Sequence, residues 1–288
     1  MISEYLSPLI SNWPSVFQLL AIAAVIAILI LLRYLFFAGT AFGIGFAVER
    51  LAPWRRLQKL PFTRTQILRE IGYSMSSVLV FMGVVGIIIA MNSAGMTQLY
   101  NDAEQYGWVW FWVQIPVILL IQDWYFYWMH RMVHKAPFYD RVHKTHHLST
   151  NPSAFAAFAF HPLEAILEIA IFVVLIVIMP IHFIALMVAG LMSLAYNVYG
   201  HLGYEVMPRI VAQSPIGYWL NKSAYHNQHH RTYRYNYGLY TVIWDRLHGT
   251  LHPQADRLYD RATVKPTEAS VAVERAQDKE TNPHASTL

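Results

Sequence analysis

The chain has 288 residues, of which 56% are hydrophobic and 13% are charged, with a formal net charge of +4. A soluble domain of this length is rarely so apolar, so the composition predicts an integral membrane protein and gives no support to nucleic-acid binding. The chain has no cysteine, which excludes disulfides, iron–sulfur clusters and thiolate zinc sites, so any metal must be bound by nitrogen or oxygen donors.

Four long apolar segments follow one another, and a membrane-spanning helix needs about 20 such residues. The first covers residues 16–37 and continues towards residue 48, the second 73–91 and the third 108–130. The fourth, residues 163–199, is too long for one crossing, and Pro180 in "MPIH" predicts the tip of a helical hairpin there. The amino terminus lacks the basic region of a cleaved signal peptide. The predicted fold is an all-α polytopic membrane protein with about four to five spans.

The basic residues predict an orientation for these spans. The segment after the first span carries many of them, and loops rich in Lys and Arg remain in the cytoplasm. The amino terminus, residues 92–107 and the hairpin tip carry none, so they should face outward. This threading places residues 131–162 and the chain after Gly200 on the cytoplasmic side, where they are predicted to form a helical, histidine-rich cap; the histidines described next predict that this cap holds two metals. The basic residues used are Arg50, Arg55, Arg56, Lys59, Arg64 and Arg69.

Three regions follow from this pattern. Residues 1–107 are predicted to be an amino-terminal transmembrane region and residues 108–260 a catalytic domain. The polar residues 261–288 are predicted to be a disordered tail.

A first pair of histidines, His130 and His134, lies at the end of the third span. Their spacing of four residues places both side chains on one face of a helix. Asp123 lies seven residues before His130 on the same face. We expect its carboxylate to accept the free ring N–H of a ligating histidine, which would fix the tautomer and direction of that ring.

Two HxxHH motifs supply six more histidines. In each motif the first and last histidines are one helical turn apart, and the middle one points about a quarter turn away, so one motif can serve two adjacent metal ions. His201 lies at the exit of the predicted hairpin. The first pair, the six motif histidines and His201 make nine imidazoles. One zinc ion needs only three or four ligands, so nine imidazoles suit two metal ions. The motif residues are His143, His146, His147, His226, His229 and His230.

Other interpretations remain open for these clusters. A single histidine pair at this spacing more often lies on a wetted surface than binds a metal. A b-type haem electron carrier would place single histidines inside facing spans, and a zinc-dependent membrane hydrolase would be expected to show HExxH or GxSxG, which are absent. A protein that only buffers metal is a further alternative. No role is assigned to His182, His248, His252 and His284.

Four sequence elements between residues 120 and 251 carry a family resemblance. "DWYFYWMHRMVH" is similar to a D-x-x-x-Y-W-x-H-R-x-x-H signature, and "FHPLE" to H-P-x-E. "GHLGYE" is similar to H-S-G-Y-E with Leu202 in place of Ser, and "NYGLYTVIWDRLHGT" to N-Y-G…W-D-R-x-F-G-T with His248 in place of Phe. These elements resemble the sterol desaturase/fatty acid hydroxylase superfamily of membrane di-iron enzymes.

The resemblance implies two iron ions, which zinc can replace, held by the nine histidines named above. It also implies O₂-dependent hydroxylation or desaturation of a lipid C–H bond, in a sterol, a fatty-acyl chain or another lipid. No haem, flavin or ferredoxin motif is visible in the chain, so the electrons must come from a separate donor of the cytochrome b5, ferredoxin or rubredoxin type.

Three further residues are candidates for supporting roles. His161 in "FHPLE" is predicted to cap a helix, support a ligand or act as a tenth ligand. Asn197 stands where some relatives have another histidine, so its amide is a candidate for a weak ligand or for orienting a water. Glu164 is a candidate to hydrogen-bond a ligand histidine; otherwise it is a charge favoured in the first turn of a helix. Six basic residues near the motifs suit lipid headgroups or an acidic electron donor: Arg131, Arg141, Lys144, Arg231, Arg234 and Arg246.

Overall fold

Five long helices form the membrane part of the protein, seen in a computed structural model that describes residues 16–58 and 60–267. Four of them are long and apolar enough to cross a membrane, and the fifth, α5, has 17 residues and a length of about 26 Å. The break predicted at "MPIH" is present between α5 and α6. The five helices are α1 (Val16–Leu51), α2 (Arg64–Ser93), α3 (Gly107–Val133), α5 (Pro162–Ile178) and α6 (Phe183–Gly200).

Large apolar side chains remain exposed along these helices, as expected for surfaces that contact lipid. Phe36 and Trp112 are 67% and 64% exposed, and Val109 is 79% exposed. The inward faces are packed: Ile118 of α3, Leu175 of α5 and Ala189 of α6 belong to one buried cluster. Taken together, the long helices have an apolar exterior and a packed interior, which confirms the predicted polytopic all-α fold.

The end of the bundle remote from the histidine motifs is closed by a short parallel pairing. Strand β1 (Leu99–Tyr100) pairs with β2 (Ile181–His182). The buried amide of Gln114 accepts a hydrogen bond from the backbone N–H of His182 and donates one to the Tyr100 hydroxyl. His182 also caps α6, because its Nδ1 accepts from the backbone of that helix. The 92–107 loop and the hairpin tip therefore lie at the same end, as the threading predicts.

The opposite end carries a cap of short helices, which we call the histidine cap (residues 134–161 and 201–264). It contains one turn of π-helix (Tyr139–His143) and a 3₁₀ helix (Ala154–Phe158). Its α-helices are α4 (Lys144–His147), α7 (Arg209–Ala212), α8 (Ser223–Thr232), α9 (Ile243–Leu247) and α10 (Ala255–Thr263). Helix α10 runs past the predicted domain limit at residue 260, so the first residues of the predicted tail are helical. Residues 268–288 and 1–15 lie outside the described residues.

Buried polar contacts fix the histidine cap to the long helices. The Tyr34 hydroxyl of α1 donates to the Phe155 carbonyl at 2.8 Å, and the Glu70 carboxylate of α2 accepts from the Ser153 hydroxyl. The Gln58 amide, in the basic segment after α1, donates to the Thr150 carbonyl and to Asn227. The basic segment and the histidine cap therefore occupy the same end of the molecule.

Candidate metal centre

The structure brings the nine predicted histidines together in two adjacent groups. In each group the ring nitrogens that could bind a metal all lie within 4.8 Å of one another. All nine rings are buried except that of His134, which is partly exposed. The first group is His130, His134, His143, His147 and His229, and the second group is His146, His201, His226 and His230.

Each HxxHH motif is divided between the two groups, as its helical geometry predicts. His143 and His147, the outer histidines of the first motif, belong to the first group, and the middle one, His146, belongs to the second. In the second motif the outer pair joins the second group, and the middle histidine, His229, joins the first. Both groups therefore depend on both motif helices, α4 and α8.

Three imidazole nitrogens form a close triangle within each group. The Nε2 atoms of His201, His226 and His230 are 3.1 Å apart in every pair. In the first group the corresponding separations are 3.1 Å from His134 to His147, 3.1 Å from His134 to His229, and 3.2 Å from His147 to His229. Two nitrogens at right angles on a metal bonded at about 2.1 Å would be about 3.0 Å apart.

Backbone carbonyls select the tautomer of four of these rings. A carbonyl only accepts hydrogen bonds, so the Nδ1 atom that contacts it carries the proton and Nε2 keeps a lone pair. The Nδ1–carbonyl distances are 2.9 Å for His130 and Tyr237, 2.6 Å for His229 and Tyr235, 2.7 Å for His201 and Asn197, and 3.0 Å for His230 and Ser149.

In the second group, the Nε2 lone pairs of two rings therefore point at each other. His201 and His230 both present Nε2 lone pairs across 3.1 Å, an arrangement that no hydrogen bond between them satisfies. The buried Nε2 of His143 in the first group has no hydrogen-bond partner. One cation in each group would give these nitrogen atoms a partner. The donor set, which is neutral imidazole only, fits two transition-metal ions such as iron or zinc.

Burial keeps these imidazoles in the neutral form that binds metals. It lowers the pKa of His201 to about 4, although the hydrogen bond to Asn197 acts in the opposite direction. For most of the others, burial lowers the pKa well below the ordinary histidine value, and the neighbouring imidazoles add to this effect. These residues are His143, His146, His147, His226, His229 and His230.

A buried carboxylate orients one ring of the first group. The Nδ1–H of His143 donates to Oε1 of Glu164 at 2.6 Å, and both side chains are 2% exposed. Glu164 lies in the first turn of α5, where the helix dipole also favours a negative charge. The predicted hydrogen bond between Glu164 and a candidate ligand is therefore present.

The chain is similar to known proteins over the region that contains both HxxHH motifs. The family model for fatty acid hydroxylase matches residues 115–250. A Delta(7)-sterol-C5(6)-desaturase of Nicotiana tabacum is 31% identical over 199 residues, which cover 67% of this chain and 69% of the relative. The chain belongs to the sterol desaturase/fatty acid hydroxylase superfamily.

Other relatives in this superfamily cover similar parts of the chain. Lathosterol oxidase of Mus musculus is 30% identical over 204 residues, or 69% of this chain. A Delta(7)-sterol 5(6)-desaturase of Aspergillus fumigatus is 32% identical over 204 residues, or 70% of this chain. The matched region covers just under two thirds of the mouse relative (66%) and 55% of the fungal one. No solved structure matches the chain.

Asp123, which begins the superfamily signature in this chain, does not have the predicted role. Its carboxylate accepts hydrogen bonds from the backbone N–H groups of Tyr240 and Thr241, the Thr241 hydroxyl and the Trp244 indole. The ring of His130, which was expected to contact Asp123, donates instead to the Tyr237 carbonyl. Sequence spacing placed both residues on one face of α3, but the loop before α9 lies between them and takes the carboxylate. Asp123 therefore anchors this loop and orients His130 only through it.

Asn197 and His161 also lie outside the two groups. The Asn197 amide donates to the Ala157 carbonyl at 2.7 Å, and only its backbone carbonyl contacts a candidate ligand, His201. The ring of His161 caps α5, because its Nδ1 accepts from the backbone N–H of Leu163 at 3.3 Å. Of the roles expected for His161, the structure shows the helix cap.

Some residues that shape the site carry no recognisable sequence signal. The carbonyls that orient the rings belong to Tyr237, Tyr235 and Ser149, and a backbone carbonyl is present in every residue. Two aromatic side chains, Tyr139 and Tyr233, cover the first group, with Tyr233 4.8 Å from His147 between ring centroids. The sequence indicates a role for these two tyrosines only through their positions close to the HxxHH motifs.

Proposed function

We propose that this protein is an O₂-dependent di-iron oxidoreductase that desaturates or hydroxylates a C–H bond of a lipid, with a sterol as the preferred class. One observation carries the proposal: two adjacent all-histidine groups whose Nε2 atoms converge at 3.1–3.2 Å. Membership of the superfamily supports iron as the metal, and the similarity to a lathosterol oxidase and to a Delta(7)-sterol-C5(6)-desaturase supports the sterol class.

The reaction needs redox chemistry that side chains do not provide. When bound, two irons would allow O₂ to oxidise an unactivated C–H bond. Hydroxylation would consume one O₂, two electrons and two protons and yield the alcohol and one water; desaturation would consume the same and yield the alkene and two waters. We propose that a one-electron carrier protein supplies the electrons.

The side chains of this protein would bind, orient and shield the metals. The nine histidines would hold them, with Glu164 and the four backbone carbonyls fixing ring direction, as the partners of ligating histidines commonly do. Phe126 lies 4.9 Å from His130, and Phe160 lies 5.1 Å from His146, between ring centroids. These rings would exclude water from the side of the site that faces the long helices, where a lipid would approach.

The active site would lie on the cytoplasmic side of the membrane. The histidine cap and the basic segment after α1 occupy the same end of the molecule, joined by the hydrogen bonds of Gln58. Loops rich in Lys and Arg remain in the cytoplasm. This placement would give the site access to a soluble or membrane-anchored cytoplasmic electron donor.

The proposal is tested on the purified full-length chain loaded with iron under anaerobic conditions. Single turnover with O₂ and a Delta(7)-sterol should yield a product that has lost two hydrogens or gained one oxygen, detected by lipid mass spectrometry. His147→Ala and His229→Ala should abolish product formation while the protein remains in the membrane. A Soret band in the purified protein would favour a haem electron carrier, and hydrolytic cleavage of a lipid under strict anaerobiosis would favour a zinc-dependent hydrolase.

A further inference from the structure

Two tyrosine rings lie next to the first histidine group, which contains the partly exposed His134. The ring of Tyr233 is 4.8 Å from His147, and the ring of Tyr139 is 5.8 Å from His134 and 6.0 Å from His147. The two tyrosine rings are 6.3 Å apart, and both are partly exposed. The two rings therefore lie on the side of the first group where His134 is partly exposed.

Tyr233 is held in an unfavourable backbone conformation to occupy this position. It follows α8 with φ +63°, in the left-handed region where glycine is the usual residue at a helix end. The backbone N–H of Tyr233 donates to the backbone carbonyl of His229 at 2.7 Å. The His134 side chain makes a hydrogen bond with the backbone of Tyr233. A non-glycine residue adopts this conformation at an energetic cost, which the contacts around Tyr233 must offset.

The surface around the two tyrosines is strongly basic. Five Lys and Arg side chains lie within five residues of one of the tyrosines, and all are exposed. Asp140 is the one acidic residue within five positions of either tyrosine. Its side chain is exposed and pairs with Lys144 at 3.4 Å. We call this surface the basic patch: Lys135, Arg141, Lys144, Arg231 and Arg234.

From these observations we propose that the basic patch is the docking surface for an acidic one-electron carrier protein, and that electrons enter the first group through Tyr139 and Tyr233. The proposal deepens the function proposed above and rests on it. In each encounter the reduced carrier loses one electron and the metal site gains one, so two encounters supply the two electrons of one turnover. Complementary charge would accelerate the encounter, and the aromatic pair offers the short path that electron transfer requires.

A second aromatic chain provides the internal alternative. His248 and Trp128 are both exposed, and the ring of His248 stacks on that of Tyr127 with 5.3 Å between ring centroids. Tyr127 lies 6.4 Å from Tyr237, which in turn lies 5.6 Å from His130. This chain has more steps between the surface and the group, so we assign electron entry to the tyrosine pair.

The test measures reduction of the iron-loaded full-length protein in nanodiscs by the reduced soluble domain of a cytochrome b5, an acidic carrier, using stopped-flow absorbance. Lys135→Glu and Arg234→Glu should each lower the second-order rate by about fivefold or more at low ionic strength, with the difference shrinking at high salt. The matched control is Arg257→Glu, an exposed arginine of α10 outside the basic patch, which should retain the wild-type rate.

Variants of the tyrosines separate electron passage from docking. Tyr233→Asn removes the ring and keeps a residue that tolerates the left-handed backbone, and Tyr139→Leu removes the other ring. Both should lose limiting rate at saturating cytochrome b5, whereas Tyr233→Phe and Tyr139→Phe should retain it. A loss caused instead by Trp128→Leu or His248→Leu would overturn the assigned route.

Two further outcomes would decide against the proposal. Equal rates for Arg234→Glu and Arg257→Glu would exclude docking at the basic patch. An effect that disappears in zwitterionic nanodiscs would show that the basic patch contacts anionic lipid headgroups. Dithionite replaces the carrier in a parallel measurement, because it reduces the iron without docking. Absence of product after dithionite reduction and O₂ would count against the proposed function. Product after dithionite reduction, together with reduction by cytochrome b5 that does not depend on the basic patch, would count only against this inference.

Discussion

Glu164 shows how much a single buried side chain contributes to the candidate site. Its carboxylate accepts the Nδ1–H of His143 and so directs the opposite nitrogen into the first group. Glu164→Gln keeps an accepting oxygen and should retain most metal affinity. Glu164→Leu leaves the ring unoriented and should weaken metal binding about 10–100-fold. Chelator competition followed by metal analysis measures the difference, and wild-type affinity in Glu164→Leu would contradict the assigned role.

His230 and His161 form a matched pair for testing which histidines bind metal. His230 is buried with its Nε2 3.1 Å from two other rings, whereas His161 caps α5. His230→Ala should fall well below the expected two irons per chain. His161→Ala should keep about two irons and lose about 0.5–2 kcal/mol of stability through the missing helix cap.

Iron content and the thermal unfolding midpoint of both variants make this comparison. Loss of iron in His161→Ala with an unchanged midpoint would restore His161 as a ligand. Full iron content in His230→Ala would remove His230 from the second group.

The residues of the candidate site could be predicted from sequence where spacing along one helix determines direction. The division of each HxxHH motif between two adjacent metal ions follows from 3.6 residues per turn, because the middle histidine points away from the outer pair. The role of Asp123 could not be predicted in this way, because its partners, Tyr240 to Trp244, lie more than a hundred residues later in the chain. Contacts of that kind depend on how a loop packs, which local periodicity does not encode.

At the scale of secondary structure elements, Asp123 holds the loop before α9 against α3. It satisfies donors from Tyr240, Thr241 and Trp244, all close to the protein interior. Asp123→Leu leaves these donors without an acceptor and should cost roughly 3–5 kcal/mol. Asp260→Leu, which removes an exposed ion pair with Arg209, should cost about 0–1 kcal/mol.

Thermal unfolding in detergent, with iron content measured in parallel, distinguishes the two accounts of Asp123. If Asp123 anchors the loop, the Asp123→Leu variant should have a lower unfolding midpoint than the wild-type protein, even without metal. A residue that only directs a ligand would lower iron affinity and leave the metal-free midpoint at the wild-type value.

Element boundaries were predictable where composition changes sharply. The hairpin break at Pro180 follows from proline chemistry, and α5 and α6 stop and start around it. Helix α10 was missed because its mixed polar sequence resembles a solvated tail, and its helical form depends on tertiary packing. Ala255 and Tyr259 are buried against α8 residues Ala224 and Tyr225, a contact that the sequence of α10 alone does not reveal.

At the scale of the whole molecule, the absence of cysteine allows the membrane orientation to be measured directly. Ser93 lies at the end that carries the β1–β2 pairing, Thr150 lies in the histidine cap, and both are exposed. A membrane-impermeant maleimide should label Ser93→Cys in intact cells and Thr150→Cys only after permeabilisation. The reverse pattern would place the histidine cap outside the cell and contradict the positive-inside interpretation.

The shared use of α4 and α8 by both groups has a consequence for how the protein fills with iron. An ion captured by one group fixes the two helices that also carry ligands of the other, so much of the ordering cost of the second ion has already been met. Filling should therefore be all-or-none. Native mass spectrometry of a half-loaded preparation should show mainly empty chains and chains with two ions, and a purified sample that averages one iron per chain would be a mixture rather than a mononuclear protein.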